Sequence, residues 1–390
     1  MKKKFDVQTI IKTMQSVLPT GHESIALHEP HLKGNEWNYI KQCLDSGWVS
    51  SAGPYVDHFE EQLAKYTGIN HVIAVVNGTA ALHTCLQLAG ITEQDEVFVP
   101  ALSFIATANA VSYRGAVPHF ADCDEKTLGL APRKLDSYLQ EIAEVQSEYC
   151  FNKKSGRRIK AVVPMHTFGQ PVDMDPLVDV CQRYHLVLIE DAAESLGSFY
   201  KDSHTGSWGL LSVLSFNGNK IITTGGGGAI LTNNSSLAAA AKHLTKQAKL
   251  PHPWSFNHDM VGYNYRMPDI NAALGCAQLE QLPGFLEKKR LLALRYQEAF
   301  MNIKGVKIFK EPDFARSNYW LNLLLLDEEY ATYRDVILES SHNLGIKVRP
   351  AWTLLHKLPM YQNCPRMDLS TAESLERRII NLPSSAFLIG

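Results

Sequence analysis

Short apolar runs rich in β-branched residues recur between residues 70 and 235 and constrain the fold most strongly. They are VIAVV (72–76), EVFVP (96–100), VPHFADC (117–123), AVVPM (161–165), LVLIED (186–191), SVLSF (212–216) and GAILTN (228–233). Several are apolar throughout, which is typical of buried parallel strands. The first four gaps have room for helices, for example at 79–89 and 176–184. The alternation predicts an α/β fold in which a mostly parallel, seven-stranded sheet is covered by helices.

The rest of the chain differs from this region in its pattern. Residues 1–55 contain helical patterns and the turn-rich SGWVSSAGPYV, and we expect this segment to pack on the other domains. We assign 56–274 to a large domain that contains the sheet. In 275–390 a long helical stretch precedes the strand candidates NYWLNLLLL and GIKVRP, and TAESLERRIINLP is predicted to be another helix. This last region is predicted to be a smaller α+β domain.

Composition excludes several classes of function. A net charge of −2 and a pI near 6.7 give no general attraction to nucleic acid or to an anionic membrane. The chain has neither an apolar run of about eighteen residues nor the features of a signal peptide, so we expect a cytoplasmic protein. Its seven cysteines are scattered and form no CxxC pair, which predicts reduced thiols and no metal site.

The segment SFNGNKIITTGGGGAI fills the last gap, which is too short for a helix of normal length. One lysine, Lys220, precedes four consecutive glycines at 225–228. Glycines are expected where φ is positive or where the main chain is approached closely. A P-loop is excluded, because there the lysine follows the glycines and a helix begins. A loose hairpin with a surface lysine is the alternative interpretation.

Ligands of open α/β sheets bind outside the carboxyl ends of the strands, so the residues directly after each strand are candidates for binding. After the first strand come Gly78 and Thr79, at the predicted start of a helix. The free N–H groups and the dipole of a helix N-terminus favour a phosphate. Thr79 could instead be an ordinary helix cap.

Two further strand ends add an aromatic ring and carboxylates. Phe104 follows the second strand and could cover a flat ring, although it could also belong to the core. The fifth strand ends in Asp191, which is followed by the small Ala193 and by Glu194. An aspartate in this position is also a common helix cap.

The sixth strand completes the set, because Ser215 ends it and Lys220 follows. Pyridoxal phosphate needs donors for its phosphate, an acid for its pyridine nitrogen and a lysine for its aldehyde. Each of these signals is weak alone. Together, on one sheet edge, they predict a pyridoxal 5'-phosphate site.

With these residues assigned, the sequence resembles the fold-type I aminotransferases of the DegT/StrS sugar aminotransferase family. The resemblance runs from about residue 28 to the C-terminus and includes NGTAALHTCLQLAG, EDAAESLGS, SFNGNKIITTGGGGAI and GYNYRMPDINAALGCAQLEQL in family order. The motifs EDAAESLGS and SFNGNKIITTGGGG resemble most closely the branch that aminates nucleotide-linked 4-keto-6-deoxy sugars for bacillosamine- or legionaminic-acid-type glycans.

The resemblance implies a role for the residues around the cofactor ring. Lys220 would bind the cofactor covalently and move the proton between cofactor and substrate carbons. Asp191 would pair with the pyridine nitrogen, and Phe104 would stack on the ring with Ala193 beneath it. Glu194 stands where family members often have His or Gln near the ring hydroxyl.

The resemblance also implies a phosphate site and a homodimer with shared active sites. Gly78, Thr79 and Ser215 would hold the phosphate. Asn264 of GYNYRM would reach the phosphate of the neighbouring subunit. From the residues alone, this segment could instead be a domain linker with a solvated asparagine.

The predicted activity is transfer of an amino group from an amino acid, L-glutamate by resemblance, to C4 of a UDP-linked, N-acetylated 4-keto-6-deoxy sugar. The alternatives are a non-catalytic nucleotide-sugar-binding or regulatory protein, and a sugar dehydratase, in which relatives have histidine in place of the lysine. This chain has Lys220, which favours transamination. A Rossmann-type oxidoreductase is excluded, because NGTAALH lacks the GxGxxG motif after the first strand.

Overall fold

The computed structural model describes residues 5–389, and these residues form eleven α-helices. Side chains of Asp6, Asn77 and Asn234 accept hydrogen bonds from N–H groups at the starts of three of them. The helices are α1 (Val7–Val17), α2 (Glu36–Ser46), α3 (Pro54–Thr67), α4 (Gly78–Leu88), α5 (Ile105–Tyr113), α6 (Pro132–Ile142), α7 (Met174–Arg183), α8 (Ser235–Thr245), α9 (Asp269–Phe300), α10 (Arg334–Asn343) and α11 (Ser370–Arg378).

Residues 5–389 also form sixteen β-strands and four short 3-10 helices. The strands are β1 (His71–Val75), β2 (Asp95–Pro100), β3 (Val117–Ala121), β4 (Ala143–Gln146), β5 (Tyr149–Asn152), β6 (Arg158–Val162), β7 (Val187–Asp191), β8 (Phe199–Tyr200), β9 (Ser203–His204), β10 (Leu211–Ser215), β11 (Gly228–Thr232), β12 (Val306–Ile308), β13 (Ala315–Arg316), β14 (Asn322–Leu326), β15 (Arg349–Pro350) and β16 (Ile379–Leu382). The 3-10 helices are Thr167–Gly169, Glu328–Tyr333, Leu355–Lys357 and Ala386–Leu388.

The seven predicted strands lie in one sheet, in the order β1-β11-β10-β7-β6-β2-β3. Neighbours from β10 to β3 are parallel, whereas β11 is antiparallel to both β1 and β10. The predicted α/β fold with a mostly parallel sheet is therefore confirmed. The hairpin β4–β5, which pairs with β6, was not predicted, because the AEVQ strand is short and mostly exposed.

The sheet is buried on both faces by two separate hydrophobic cores. Along β1, Val72 and Ala74 belong to one core, and Ile73 and Val75 belong to the other. This division follows from the pleat, since successive side chains of a strand point to opposite faces. It also explains why the strand sequences are apolar throughout instead of alternating.

The C-terminal part forms a smaller antiparallel sheet, in the order β12-β14-β16-β15. The prediction that 371–383 is one helix was wrong at its end, because α11 stops at Arg378 and IINL forms β16. The β-branched Ile379 and Ile380 pair there with β14. Helix α9 begins at Asp269 and runs across the boundary predicted between residues 274 and 275. The domain boundaries stay a prediction.

The N-terminal helices pack against the long helix α9. Both α1 and α2 contact α9, and α1 also contacts α10. In residues 5–389, none of the helices combines the length and apolar character needed to span a bilayer. The cytoplasmic location stays a prediction.

Candidate active site

The carboxyl ends of β1, β2, β7 and β10 surround a pocket of about 330 Å³. Eight of the nine residues predicted from the sequence line it: Gly78, Thr79, Phe104, Asp191, Ala193, Glu194, Ser215 and Lys220. Asn264 is not among the lining residues. It is exposed and forms an isolated β-bridge with Lys246.

The N-terminus of α4 forms a cup of unpaired donors at one end of the pocket. Asn77 is the capping residue and accepts from the N–H of Ala80, so the prediction that Thr79 could be the cap was wrong. Among residues 5–389, the N–H groups of Gly78 and Thr79 and the hydroxyls of Thr79 and Ser215 have no hydrogen-bond partner. This donor set at a helix N-terminus suits a phosphate.

The glycine run lies directly behind this cup. A Cβ on Gly228 would lie 2.5 Å from the carbonyl carbon of Asn77, and Gly225 has a φ of +78°. The segment is also hydrogen-bonded to itself, since the N–H of Phe216 donates to the carbonyl of Gly227 at 2.8 Å. It is therefore not a loose hairpin. The absence of a side chain at Gly228 lets β11 pack against the turn that starts α4.

Asp191 lies at the end of β7 and is almost completely buried. Its Oδ2 accepts from the hydroxyl of Thr107 at 2.8 Å, and its Oδ1 accepts from the N–H of Ala193 at 3.2 Å. Burial raises the pKa of Asp191, while the hydrogen bond from Thr107 opposes this shift. The carboxylate caps no helix, because turns follow it. A cationic group opposite would stabilise its charged form.

Lys220 and Glu194 form an ion pair in the pocket. The Lys220 Nζ lies 3.0 Å from Oε1 of Glu194, and Oε2 of this carboxylate accepts from the N–H of Phe168 at 2.9 Å. The lysine side chain is 12% exposed and the glutamate side chain 1%. Burial raises the pKa of Glu194, and the nearby Lys220 opposes this shift. The amine of Lys220 is therefore fixed by the carboxylate of Glu194 and still accessible from the pocket.

Two tryptophans from the C-terminal part also line the pocket, and sequence reasoning missed them. The Lys220 Nζ lies 4.1 Å from the ring centroid of Trp320. The ring of Trp352 stacks on Phe168, with centroids 4.7 Å apart. Both side chains come from the region distant in sequence from the strand ends, so no local pattern pointed to them.

Thr107, which holds Asp191, was also missed, although a signal existed. It lies three residues after Phe104, in the first turn of α5. Residues three apart on a helix share a face. The hydroxyl of Thr107 could therefore have been included among the predicted site residues, because it shares a helix face with Phe104.

The residues present fit pyridoxal phosphate. The unpaired donors at Gly78, Thr79 and Ser215 suit its phosphate, and the buried carboxylate of Asp191 suits its ring nitrogen. Lys220 is an accessible amine for its aldehyde. Phe104, at 48% exposure, leaves an aromatic face open in the same pocket.

Comparisons with known proteins agree with this chemistry. A sequence profile of the DegT/DnrJ/EryC1/StrS aminotransferase family matches residues 30–388. The chain is 38% identical over 367 residues to the GDP-perosamine synthase of Caulobacter vibrioides, covering 93% of this chain and 94% of the relative. It is 35% identical over 361 residues to the GDP-perosamine synthase of Vibrio cholerae, covering 92% and 94%.

A solved structure extends the likeness to the fold. Helicobacter pylori PseC, an aminotransferase involved in the biosynthesis of pseudoaminic acid, superimposes with a TM-score of 0.83 at 26% identity, covering 93% of this chain and 94% of that chain. The profile spans most of the sequence, and the relatives are aligned over nearly their full length. The chain belongs to the DegT/DnrJ/EryC1/StrS aminotransferase family and is a pyridoxal phosphate-dependent sugar aminotransferase.

Proposed function

We propose that this enzyme moves an amino group from L-glutamate to C4 of a nucleotide-linked 4-keto-6-deoxy sugar, in the biosynthesis of a surface glycan. The observation that supports it most is the pocket that joins Lys220, Asp191 and the donor cup of α4. The names of two relatives, both GDP-perosamine synthases, support an amino sugar as the product.

Each residue has a distinct task in this proposal. Pyridoxal phosphate supplies an aldehyde that takes up an amino group and a ring that accepts electron density. Lys220 would hold the cofactor, and its amine would move the proton at the reacting carbon. Asp191, fixed by Thr107, keeps the ring nitrogen protonated. Glu194 offers a carboxylate to Lys220 whenever the amine is free.

The remaining residues orient the cofactor. Gly78, Thr79 and Ser215 would hold the phosphate with their donors. Phe104 would cover the ring, and Ala193 is small enough to leave room for it. Holding the cofactor at both ends would keep it in place for reaction beside Lys220.

The nucleotide is the least determined part of the substrate. The EDAAESLGS and SFNGNKIITTGGGG motifs favour a UDP-linked, N-acetylated sugar, whereas the names of the relatives favour a GDP-linked sugar. Purified enzyme should be given 4-keto-6-deoxy sugars with each nucleotide, and glutamate, glutamine, aspartate or alanine as donor. The product sugar is analysed by mass spectrometry and NMR. A new amine at C4 with glutamate as donor supports the proposal, and amination at another carbon contradicts it.

We also propose that the enzyme is a homodimer and that Asn264 binds the cofactor phosphate of the partner subunit. The exposed position of Asn264, outside the pocket of its own chain, supports this arrangement. The adjoining segment exposes large apolar side chains, with Trp254 at 80% and Val261 at 81%. Exposed apolar patches of this kind are typical of protein interfaces.

Complementation between two impaired variants at limiting cofactor tests the shared site. Asn264→Ala is expected to retain the fold but to bind the cofactor more weakly, by roughly 1–3 kcal/mol for a lost phosphate donor. Mixed with Lys220→Ala, it should form heterodimers in which one site has both changes and the other is wild type. Recovered activity at limiting cofactor supports the proposal. No recovery, with heterodimers shown by native mass spectrometry, would contradict it.

A further inference from the structure

A short segment of the C-terminal part, residues 317–320, contacts both loops that hold the charged residues of the site. The Nδ2 of Asn318 donates to the carbonyls of Glu194 and Leu196, each at 2.9 Å. The indole N–H of Trp320 donates to the carbonyl of Asn219 at 2.8 Å. Asn219 is the residue before Lys220. One segment therefore fixes the main chain beside the lysine and beside its carboxylate partner.

The ring of Trp320 also contacts the reactive end of Lys220. Its centroid lies 4.1 Å from the Nζ, within the range of a cation–π interaction. Glu194 contacts the same nitrogen at 3.0 Å. Trp320 is only 4% exposed, and this interaction strengthens when water is excluded. The carboxylates of Glu194 and Asp191 and the aromatic face of Trp320 therefore favour a cationic lysine nitrogen, whereas a protonated His28 would oppose it.

The main chain of Trp320 is itself held on both sides. Its N–H donates to Oδ1 of Asn318 at 2.8 Å, and its carbonyl accepts from the buried Lys289 Nζ at 3.1 Å. The preceding residue, Tyr319, has a φ of +47°, which is uncommon for a residue with a side chain. Such conformations persist where the surroundings determine them strongly, and they cluster at functional sites.

We propose that Trp320 is a positioning residue for Lys220. Its ring stabilises the cationic lysine nitrogen, and its indole N–H fixes the carbonyl of Asn219, so that the lysine keeps one position at the reacting carbon. The inference rests on the proposed role of Lys220 in holding the cofactor. A tryptophan that only filled space would affect stability but not the protonation of the lysine-bound cofactor.

The test is a pH titration of the absorption band of the enzyme-bound cofactor, measured without substrate. Trp320→Leu removes the ring, and we expect the midpoint of the titration to move down by roughly 0.4–1.5 pH units, the loss of one cation–π interaction. Trp320→Phe retains a ring and should shift the midpoint less. Trp208→Leu is the matched control: it removes a tryptophan that packs against Tyr200 and does not line the pocket, and it should leave the midpoint unchanged.

Hydrogen exchange tests the second contact, even if Trp320→Leu fails to fold. Trp320→Phe lacks the indole N–H, so we expect faster deuterium uptake in residues 217–221 than in the wild type or in Trp208→Phe. An unchanged midpoint together with unchanged uptake overturns the proposal, as does an equal shift in the Trp208 variants. Lys220→Ala separates this failure from that of the proposed function, because a band retained without the lysine would refute the role of Lys220 itself.

Discussion

Two lysines of this enzyme have side chains that are mostly shielded from water, Lys220 at 12% exposure and Lys289 at 1%, and their partners differ in kind. Lys220 lies on the loop between β10 and β11, where it contacts the carboxylate of Glu194 and the ring of Trp320. Lys289 lies in the middle of α9, and its Nζ donates to the main-chain carbonyls of Trp320 and Ser384. Burial lowers the pKa of Lys289 to about 7.

The difference shows how partners determine what a buried amine can do. A carboxylate beside a shielded ammonium offsets the cost of removing its charge from water, whereas carbonyl dipoles alone offset less of that cost. Lys220 also borders a cavity, so its nitrogen can reach a ligand. Lys289, at 1% exposure, joins two chain segments and borders no described pocket. The position of Lys220 suits a reactive amine, and the position of Lys289 suits a structural one.

The largest expected effect comes from removing the lysine of the pocket. Lys220→Ala should lower the rate of amino transfer by at least about 10²–10⁴-fold, because proton transfer at the reacting carbon loses its acid/base group. Rapid-quench measurement of amino-sugar formation checks this. Lys304→Ala, a change of an exposed lysine after α9, serves as the control and should react at the wild-type rate. A Lys220→Ala enzyme within tenfold of the control would remove the distinction between Lys220 and Lys289.

A smaller effect is expected from the carboxylate partner. Glu194→Gln keeps the shape of the side chain but replaces its charge, so Lys220 loses a charge-assisted hydrogen bond worth about 1.5–3 kcal/mol. We expect kcat/KM to fall by roughly 10–150-fold, the same free energy expressed as a rate. Steady-state kinetics at saturating cofactor measure it.

The matched control for this change is Glu328→Gln. Glu328 also pairs with basic side chains, Arg377 and Arg378, but its own side chain is 61% exposed, and exposed pairs contribute little. Its kinetics should equal those of the wild type. If Glu194→Gln behaves in the same way, the short distance between Glu194 and Lys220 has no part in the reaction.

The sequence predicted the half of this site that lies at strand ends. Asp191, Ser215 and Gly78 follow or end apolar strands, and the edge of a parallel sheet brings such positions together whatever the rest of the fold does. The sheet was predictable for the same reason, since buried strands have an apolar pattern of their own.

The other half depends on how distant parts of the chain dock. Trp320 contacts Lys220 although it is a hundred positions away in the sequence, and no local pattern specifies that contact. The pairing of Glu194 with Lys220 is likewise a matter of side-chain geometry. The strand β16 was predicted to be a helix, because helix α11 runs directly into it and its pairing with β14 is a long-range contact.

The last prediction concerns Lys289 and the dependence of stability on pH. Its pKa in the folded enzyme is about 7, below its ordinary value of 10.5. Between these values the unfolded chain binds a proton that the folded enzyme does not, so folding stability rises with pH, by up to about 1.4 kcal/mol per pH unit. The stability that Lys289 adds is complete above pH 10.5 and is lost as the pH falls through 7. Lys289→Met keeps the length of the side chain but has no proton to exchange, and should lack this dependence.

Other groups titrate in the same range, so the quantity to measure is the difference in melting temperature between wild type and Lys289→Met at each pH. Cysteines and tyrosines are shared by both proteins and cancel in this difference. We expect it to change in favour of the wild type from pH 7.5 to 9.5, a range within the window set by the two pKa values of Lys289. A difference that stays flat would mean that Lys289 keeps its charge in the folded enzyme. Carbonyl dipoles alone would then stabilise a buried cation as well as a carboxylate does, and the two lysines would differ only in their access to the pocket.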